Sequence, residues 1–220
     1  MTNKEYTLEL SDSGWKVLGP EPSDRQDIVV LIRHLHSTLH ALEHGELEEV
    51  LLGLSRKIGI KDAEVLFHPG GAYIVLGEDG SKAFEHLYKL SDHAPCLCII
   101  KSPPDKIKRS FGLHEGCKIL WISDQTASTV TAGGFDTIKP NLEYIVKSVL
   151  EFLKANPRAV ILIEGIDYFS AKMEFVDMLK AVERMVDTIW LSKGILIVPV
   201  DPKAIDGKEL AILEKLFEPV

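Results

Sequence analysis

Apolar residues recur in distinct rhythms along this chain of 220 residues, and each rhythm predicts a different element. From Tyr6 to Leu10 (YTLEL) and from Trp15 to Leu18 (WKVL) apolar and polar positions alternate. The flanked segment Ser11-Asp12-Ser13-Gly14 predicts a four-residue hairpin loop. After Gly19 and Pro20 the period changes. Ser23 with Gln26 reads as a capping-box pair, and Ile28, Ile32, Leu35, Leu39 and Leu42 follow at spacings of four, three, four and three, which predicts an amphipathic helix. Gly45 interrupts it; Leu47, Leu51, Leu54 and Ile58 resume the spacing until Gly59 stops it. From residue 63 the pattern becomes one of short, continuously apolar runs, AEVLF, AYIVL, CLCII, KILWI, AVILI and ILIVPV. Helical patterns separate them near Ser81 to Leu90, Leu142 to Lys154, Met173 to Leu191 and Lys208 to Phe217. Strands without polar alternation are buried on both faces, so the prediction is a three-layer α/β domain around a mostly parallel sheet.

The chain therefore divides, on pattern, into an N-terminal hairpin with two helices over residues 1–60 and an α/β domain over residues 63–220. Narrow apolar seams on the two helices must be covered, either by the body of the protein or by the same helices of a second copy, and a homodimer is the expectation carried forward. The longest irregular stretch, Asp124 to Lys139, is long enough to be a functional loop.

Composition narrows the classes of function. A hydrophobic content of 45% supports a full core, while a formal charge of −8 and a pI near 5.5 oppose a nucleic-acid surface, which needs clustered cations in excess. The N-terminus MTNKEYTLEL lacks the basic and apolar regions of a signal peptide, and no run approaches the roughly 20 apolar residues that span a bilayer, so a cytoplasmic protein without a membrane segment is expected. Cys96, Cys98 and Cys117 make an odd set whose first two members point to opposite faces of a strand. They read as small buried hydrophobes in a reducing compartment. Only two Gln and three Asn occur, a bias suited to a heat-adapted organism.

Candidate chemistry lies where an open parallel sheet places it, just beyond the carboxyl ends of the strands. Val160 to Tyr168, VILIEGIDY, is an apolar run closing on a carboxylate and a glycine, as in the strand that positions Mg²⁺ in RecA-like ATPases. The matching phosphate loop, Gly-x-x-x-x-Gly-Lys followed by Ser or Thr, occurs nowhere in the chain. In its place after AYIVL stands Gly77-Glu78-Asp79-Gly80-Ser81-Lys82. This turn is too short, has Ala83 where the metal-binding hydroxyl belongs, and sets two carboxylates where phosphates need neutral amides. Asp124, Glu164, Asp167 and Asp201 are candidate oxygen ligands for Mg²⁺, although carboxylates also end strands for reasons of capping and solubility. Lys101, Lys106, Lys108 and Arg109, around Pro103-Pro104, are candidates to hold an anion. His36, His40 and His44 stand four residues apart on the predicted first helix, the spacing at which helical histidines share a metal. No Gly-x-Ser-x-Gly elbow or His-Glu-x-x-His motif is present.

The segments GGAYIVLGEDGSKAFEHLY, APCLCIIKSPPDKIKRSFGL, KILWIS, VILIEGIDYF and GILIVPVDPKAIDGKELAILEKLFE together resemble the archaeal family of unknown function numbered 835, over about residues 70 to 218. The resemblance implies a distant, loop-less relative of the KaiC and RecA ATPases with a regulatory or sensing role and no assigned ligand. Where that family more often has Asp, this chain has Glu164, which keeps the carboxylate on a longer arm. The function expected is that of a non-enzymatic regulatory protein acting through a protein partner, with no cofactor. The rivals are a metal-dependent phosphate-ester hydrolase with Asp124, Glu164, Asp167 and Asp201 on Mg²⁺, and a receiver-like phosphoacceptor at one strand-end Asp.

Overall fold

The computed structural model describes residues 7–11, 14–19, 22–41, 45–60, 66–92, 94–113, 116–123 and 135–220. They form two compact units, Met1–His68 and Pro69–Val220.

In the first unit β1 (Thr7–Ser11) and β2 (Gly14–Leu18) pair antiparallel, with Thr7 opposite Leu18 and Ser11 opposite Gly14. Ser11 and Gly14 therefore belong to the strands, and the expected four-residue loop is shorter than the sequence suggested. Helix α1 (Arg25–Ala41) and helix α2 (Gly45–Lys57) follow. The cap of α1 differs from the expected Ser23–Gln26 box: Asp24 Oδ1 accepts the Asp27 N–H at 2.9 Å, while Asp27 Oδ2 accepts the N–H of Ser23 at 2.8 Å and its hydroxyl at 2.5 Å. A carboxylate outcompetes the Gln26 amide because it is the stronger acceptor and favours the positive end of the helix. Val29 and Ile32 of α1 pack with Leu52 of α2 and with Ile60 into a small core. Of the predicted strand AEVLF, Ala63 to Val65 lie outside the described residues, and Leu66 and Phe67 form no strand.

The second unit holds a seven-stranded sheet in the order β6-β5-β4-β7-β8-β3-β9, every described pair parallel. Its strands are β3 (Ala72–Leu76), β4 (Cys96–Ile100), β5 (Lys118–Ile122), β6 (Asp136–Ile138), β7 (Val160–Ile163), β8 (Ile195–Val200) and β9 (Glu218–Pro219). Between them run α3 (Ser81–Ser91), α4 (Pro104–Phe111), α5 (Leu142–Ala155), the short α6 (Ile166–Ser170), α7 (Phe175–Ser192) and α8 (Gly207–Leu213). One face of the sheet presents Ile74, Leu97, Ile99, Ile161, Ile163 and Val198 to Ile145 and Val149 of α5 and to Met178, Val182 and Met185 of α7. By strand alternation the opposite face carries Tyr73, Val75, Cys96, Cys98 and Leu162, which are buried as well. Phe84 of α3 stacks on Phe111 of α4, ring centroids 4.8 Å apart. Helices on both faces explain why the strands read as unbroken apolar runs, and the α/β, three-layer expectation holds. The end of the irregular stretch from Asp124 to Lys139 is an edge strand, β6, whereas residues 124–134 lie outside the described set. Helix α8 stops at Leu213, short of the predicted Phe217, and the chain turns back to lay β9 beside β3. Among the described residues no helix is long and apolar enough to cross a membrane.

Candidate functional site

Parallel strands put all their carboxyl ends on one edge of the sheet, and four adjacent ends, those of β4, β7, β8 and β3, enclose a cleft of about 440 Å³. Its lining includes the Gly77–Gly80 turn, Lys101, Ser102, Lys106, Glu164, Gly165, Asp167, Tyr168 and Asp201. Residues far apart in sequence thus meet because of strand order alone.

Glu164 is placed by the ladder between β4 and β7. Ile99 pairs with Ile163, and the Glu164 N–H donates to the Ile99 carbonyl at 2.9 Å, so the next side chain along β7 reaches across the turn that follows β4. There its Oε2 accepts the N–H groups of Lys101 and Ser102, each at 3.0 Å, and its Oε1 accepts the Ser102 hydroxyl at 2.5 Å. Gly165 then turns the chain with φ of 107°, a region that favours glycine, and a Cβ there would stand 3.4 Å from Cβ of Lys101. The Glu-Gly pair in VILIEGIDY is accordingly a device for fastening β7 to the β4–α4 turn.

The other carboxylates of the cleft are engaged as well, Asp79, Asp167 and Asp201 by N–H groups one or two residues on. Asp79 Oδ1 accepts the Ser81 N–H at 3.0 Å, at the first residue of α3, and this bond holds its carboxyl below the ordinary range. An N–H that a phosphate loop would offer to a phosphate is thus given to the chain's own side chain. Gly80, at φ of 65°, lies so close to Pro199 that an added Cβ would come within 3.3 Å of it. Asp167 Oδ1 accepts the Tyr168 N–H at 2.9 Å, and Asp201 Oδ1 accepts the Lys203 N–H at 2.9 Å in a turn of its own. Glu78 pairs with Lys203.

Of the candidate cations, Lys101 and Lys106 line the cleft. The Lys101 ammonium lies 4.8 Å from the centroid of the Tyr168 ring, which Lys172 also approaches at 4.3 Å while donating to the phenol oxygen at 2.6 Å. Lys108 stands 4.4 Å over the Phe135 ring. Arg109 does not line the cleft: its Nε donates to the Asp105 carbonyl at 3.1 Å, one turn back along α4. The basic run is dispersed because a helix carries successive residues to different faces.

Of the four acidic candidates, Glu164, Asp167 and Asp201 share the cleft, and Asp124 lies outside the described residues. His36 is half-buried on α1, while the His40 side chain and His44 fall outside the described set. Among the described residues no group of three or more His, Cys, Asp or Glu side chains is gathered as a metal site. Mg²⁺ demands near-ideal octahedral oxygens and would have to take Glu164 from three donors, so the residues present fit it poorly. Ser102 and Tyr168 were not picked out from the sequence as site residues. Pro103-Pro104 after Ser102 gave the only local signal, of a turn.

The model of the family described as protein of unknown function (DUF835) matches residues 77–217. The chain belongs to the DUF835 family. The matched span runs from the Gly77 turn to Phe217 and so holds every lining residue of the cleft. Solved structures similar to this DUF835 chain include a protein from Pyrococcus horikoshii OT3 (15% identity, TM-score 0.48, covering 69% of this chain and 81% of that one). A KaiC-like protein of the same hyperthermophilic archaeon shows 11% identity and a TM-score of 0.40, with 60% of this chain and 62% of that one covered. The flagellar accessory protein FlaH of Methanocaldococcus jannaschii shows 16% identity and a TM-score of 0.44, with 75% and 74% covered. No curated protein matches the chain.

Proposed function

We propose that this DUF835 chain is a non-enzymatic regulatory protein that acts by protein–protein contact, through an α/β body whose nucleotide-handling edge serves as scaffold. The observation that carries this reading is the engagement of Glu164, whose two oxygens accept from Lys101 N–H, Ser102 N–H and the Ser102 hydroxyl. A Mg²⁺-positioning carboxylate needs at least one oxygen aimed at ion and phosphate; this one ties two strand ends together. Asp79 supports the reading from the other side of the cleft, because it brings negative charge and fills an N–H where a phosphate would need neutral donors. Exposed apolar side chains in the first unit, Leu47, Val50 and Leu54 on α2 and Ile58 just past its end, supply a surface suited to a protein partner.

The reading is tested by phosphate release from ATP, GTP and a generic phosphomonoester with Mg²⁺ or Mn²⁺. The expected rate equals that of buffer. Metal-dependent turnover that Glu164→Gln abolishes contradicts the proposal and favours a hydrolase.

A further inference from the structure

We propose that Cys96 and Cys117 form a redox pair that oxidises to an intramolecular disulfide, tying the start of β4 to the start of β5 across the loop that carries α4.

The strand register places the two residues side by side. Strands β4 and β5 run parallel, with Leu97 beside Lys118, Cys98 beside Ile119 and Ile99 beside Leu120. One step back along both strands sets Cys96, the first residue of β4, beside Cys117, the residue just before β5. Neighbouring strands lie about 4.7–4.9 Å apart, inside the Cα separation of about 4.4–6.8 Å that a disulfide spans. The sheet need not rearrange, and the remaining adjustment falls on Cys117, which precedes the strand.

The two residues also share a face. Leu97, Ile99, Leu120 and Ile122 belong to the core that includes α5 and α7, so alternation turns Cys96 and Cys117 together to the opposite face. Cys98 lies on that face too, because residues two apart on a strand do, which corrects the sequence expectation that Cys96 and Cys98 point opposite ways. Its neighbour on β5, however, is Ile119 and not a thiol. All three cysteines are free thiols in this structure.

The side chains meet and divide the chemistry between them. Cys96 accepts a hydrogen bond from the Cys117 thiol, which holds Cys96 below its ordinary value against the opposing effect of burial, with Ser91 adding to the lowering. The same contact, and then burial, pushes Cys117 well up. The thiolate is the reactive form, so Cys96 is the nucleophile and Cys117 the resolving thiol. Cys96 is 2% and Cys117 8% exposed, which restricts the oxidant to a small one such as hydrogen peroxide. The Cys96 sulfur attacks one peroxide oxygen, the O–O bond breaks, and the departing hydroxide leaves as water with the Cys96 proton. The Cys117 sulfur then attacks the sulfenic sulfur of Cys96, the S–O bond breaks, and a second water leaves with the Cys117 proton. Two electrons pass from the sulfurs to the peroxide, and a dithiol reductant returns them by exchange. The loop so closed includes Lys101, Ser102 and Lys106 of the cleft, so the segment that Glu164 grips at one edge of the sheet is fastened at the other edge as well.

The test takes the full chain, reduced and then treated with hydrogen peroxide, quenched in acid and alkylated in denaturant. The reduced chain should carry three alkyl groups and the oxidised chain one, on Cys98. A tryptic digest of the oxidised chain should join Leu90–Lys101 to Ser110–Lys118 with the loss of two hydrogens, and dithiothreitol should separate them. Cys98→Ser should keep the joined peptides, whereas Cys96→Ser should abolish them. Three alkyl groups after peroxide, oxygen added to Cys96 or Cys117 without a link, a link that survives Cys96→Ser, or a link formed only between chains each overturns the proposal. The wild-type digest reads the link directly, so the outcome does not depend on a variant that fails to fold.

Discussion

The carboxylate of Glu164 closes on Ser102, taking its hydroxyl at 2.5 Å and its N–H at 3.0 Å, and holds the neighbouring Lys101 N–H with the same oxygen. Such charge-assisted bonds in a half-buried turn are worth more than neutral ones, and breaking them leaves two backbone donors without their carboxylate partner. Glu164→Ala should therefore destabilise the metal-free protein by about 2 kcal/mol in chemical denaturation, whereas Asp167→Asn should change stability by less than about 0.5 kcal/mol. A carboxylate kept for a metal behaves oppositely, because its removal relieves repulsion among ligands in the empty site. Stabilisation by Glu164→Ala would thus reverse the assignment.

Asp79 provides a second handle at the head of α3. Its carboxyl titrates below the ordinary carboxylate value because the Ser81 N–H, and then the Ser81 side chain, favour the charged form. Ser81→Pro removes both donors at a position where the helix tolerates proline, so the titration midpoint of Asp79 followed by carboxyl carbon NMR should rise toward the ordinary value. The sign is that of a lowered acid: its contribution to stability is present above the unfolded value and lost as pH falls through the folded one.

His86, half-buried on α3, titrates below 6.5, chiefly because burial disfavours the imidazolium, with Lys89 and Lys82 adding to the effect and Glu85 opposing it. The unfolded chain then takes up the proton first. Stability should be complete above about pH 6.5 and fall as pH drops toward the lower folded value, with a slope of at most about 1.4 kcal/mol per pH unit from this group. Urea denaturation at a series of pH values should show that slope, and His86→Gln should flatten it.

Cys96, Cys98 and Cys117 are 2%, 0% and 8% exposed, and burial pushes the Cys98 thiol well up. A thiol reagent at pH 8 should accordingly modify Cys98 only as fast as the protein opens, with full labelling in denaturant. Rapid labelling of Cys98 in the native protein would contradict its place in the sheet.

Much of this arrangement was legible in the sequence because its physics is local. Unbroken apolar runs such as CLCII and VILI announced strands covered on both faces, and the rule that ligands gather at carboxyl ends of parallel strands pointed to Lys101, Glu164, Asp167 and Asp201 together. The tie from Glu164 to Ser102 was not legible, since it spans 62 residues and depends on the β4–β7 register. Helix α4 was hidden because Pro103-Pro104 reads as a breaker, although proline is at home in a first turn. Asp24 and Asp27 displaced the expected Gln26 for want of any sequence rule that ranks competing caps.

The central claim is that the chain's own carboxylates occupy the edge where a nucleotide would bind. Isothermal titration of the full chain with ATP and GTP in the presence of Mg²⁺ addresses it directly. The account predicts no binding heat, and none for Glu164→Gln. Tight, Mg²⁺-dependent binding to the wild-type chain that Glu164→Gln abolishes would contradict it.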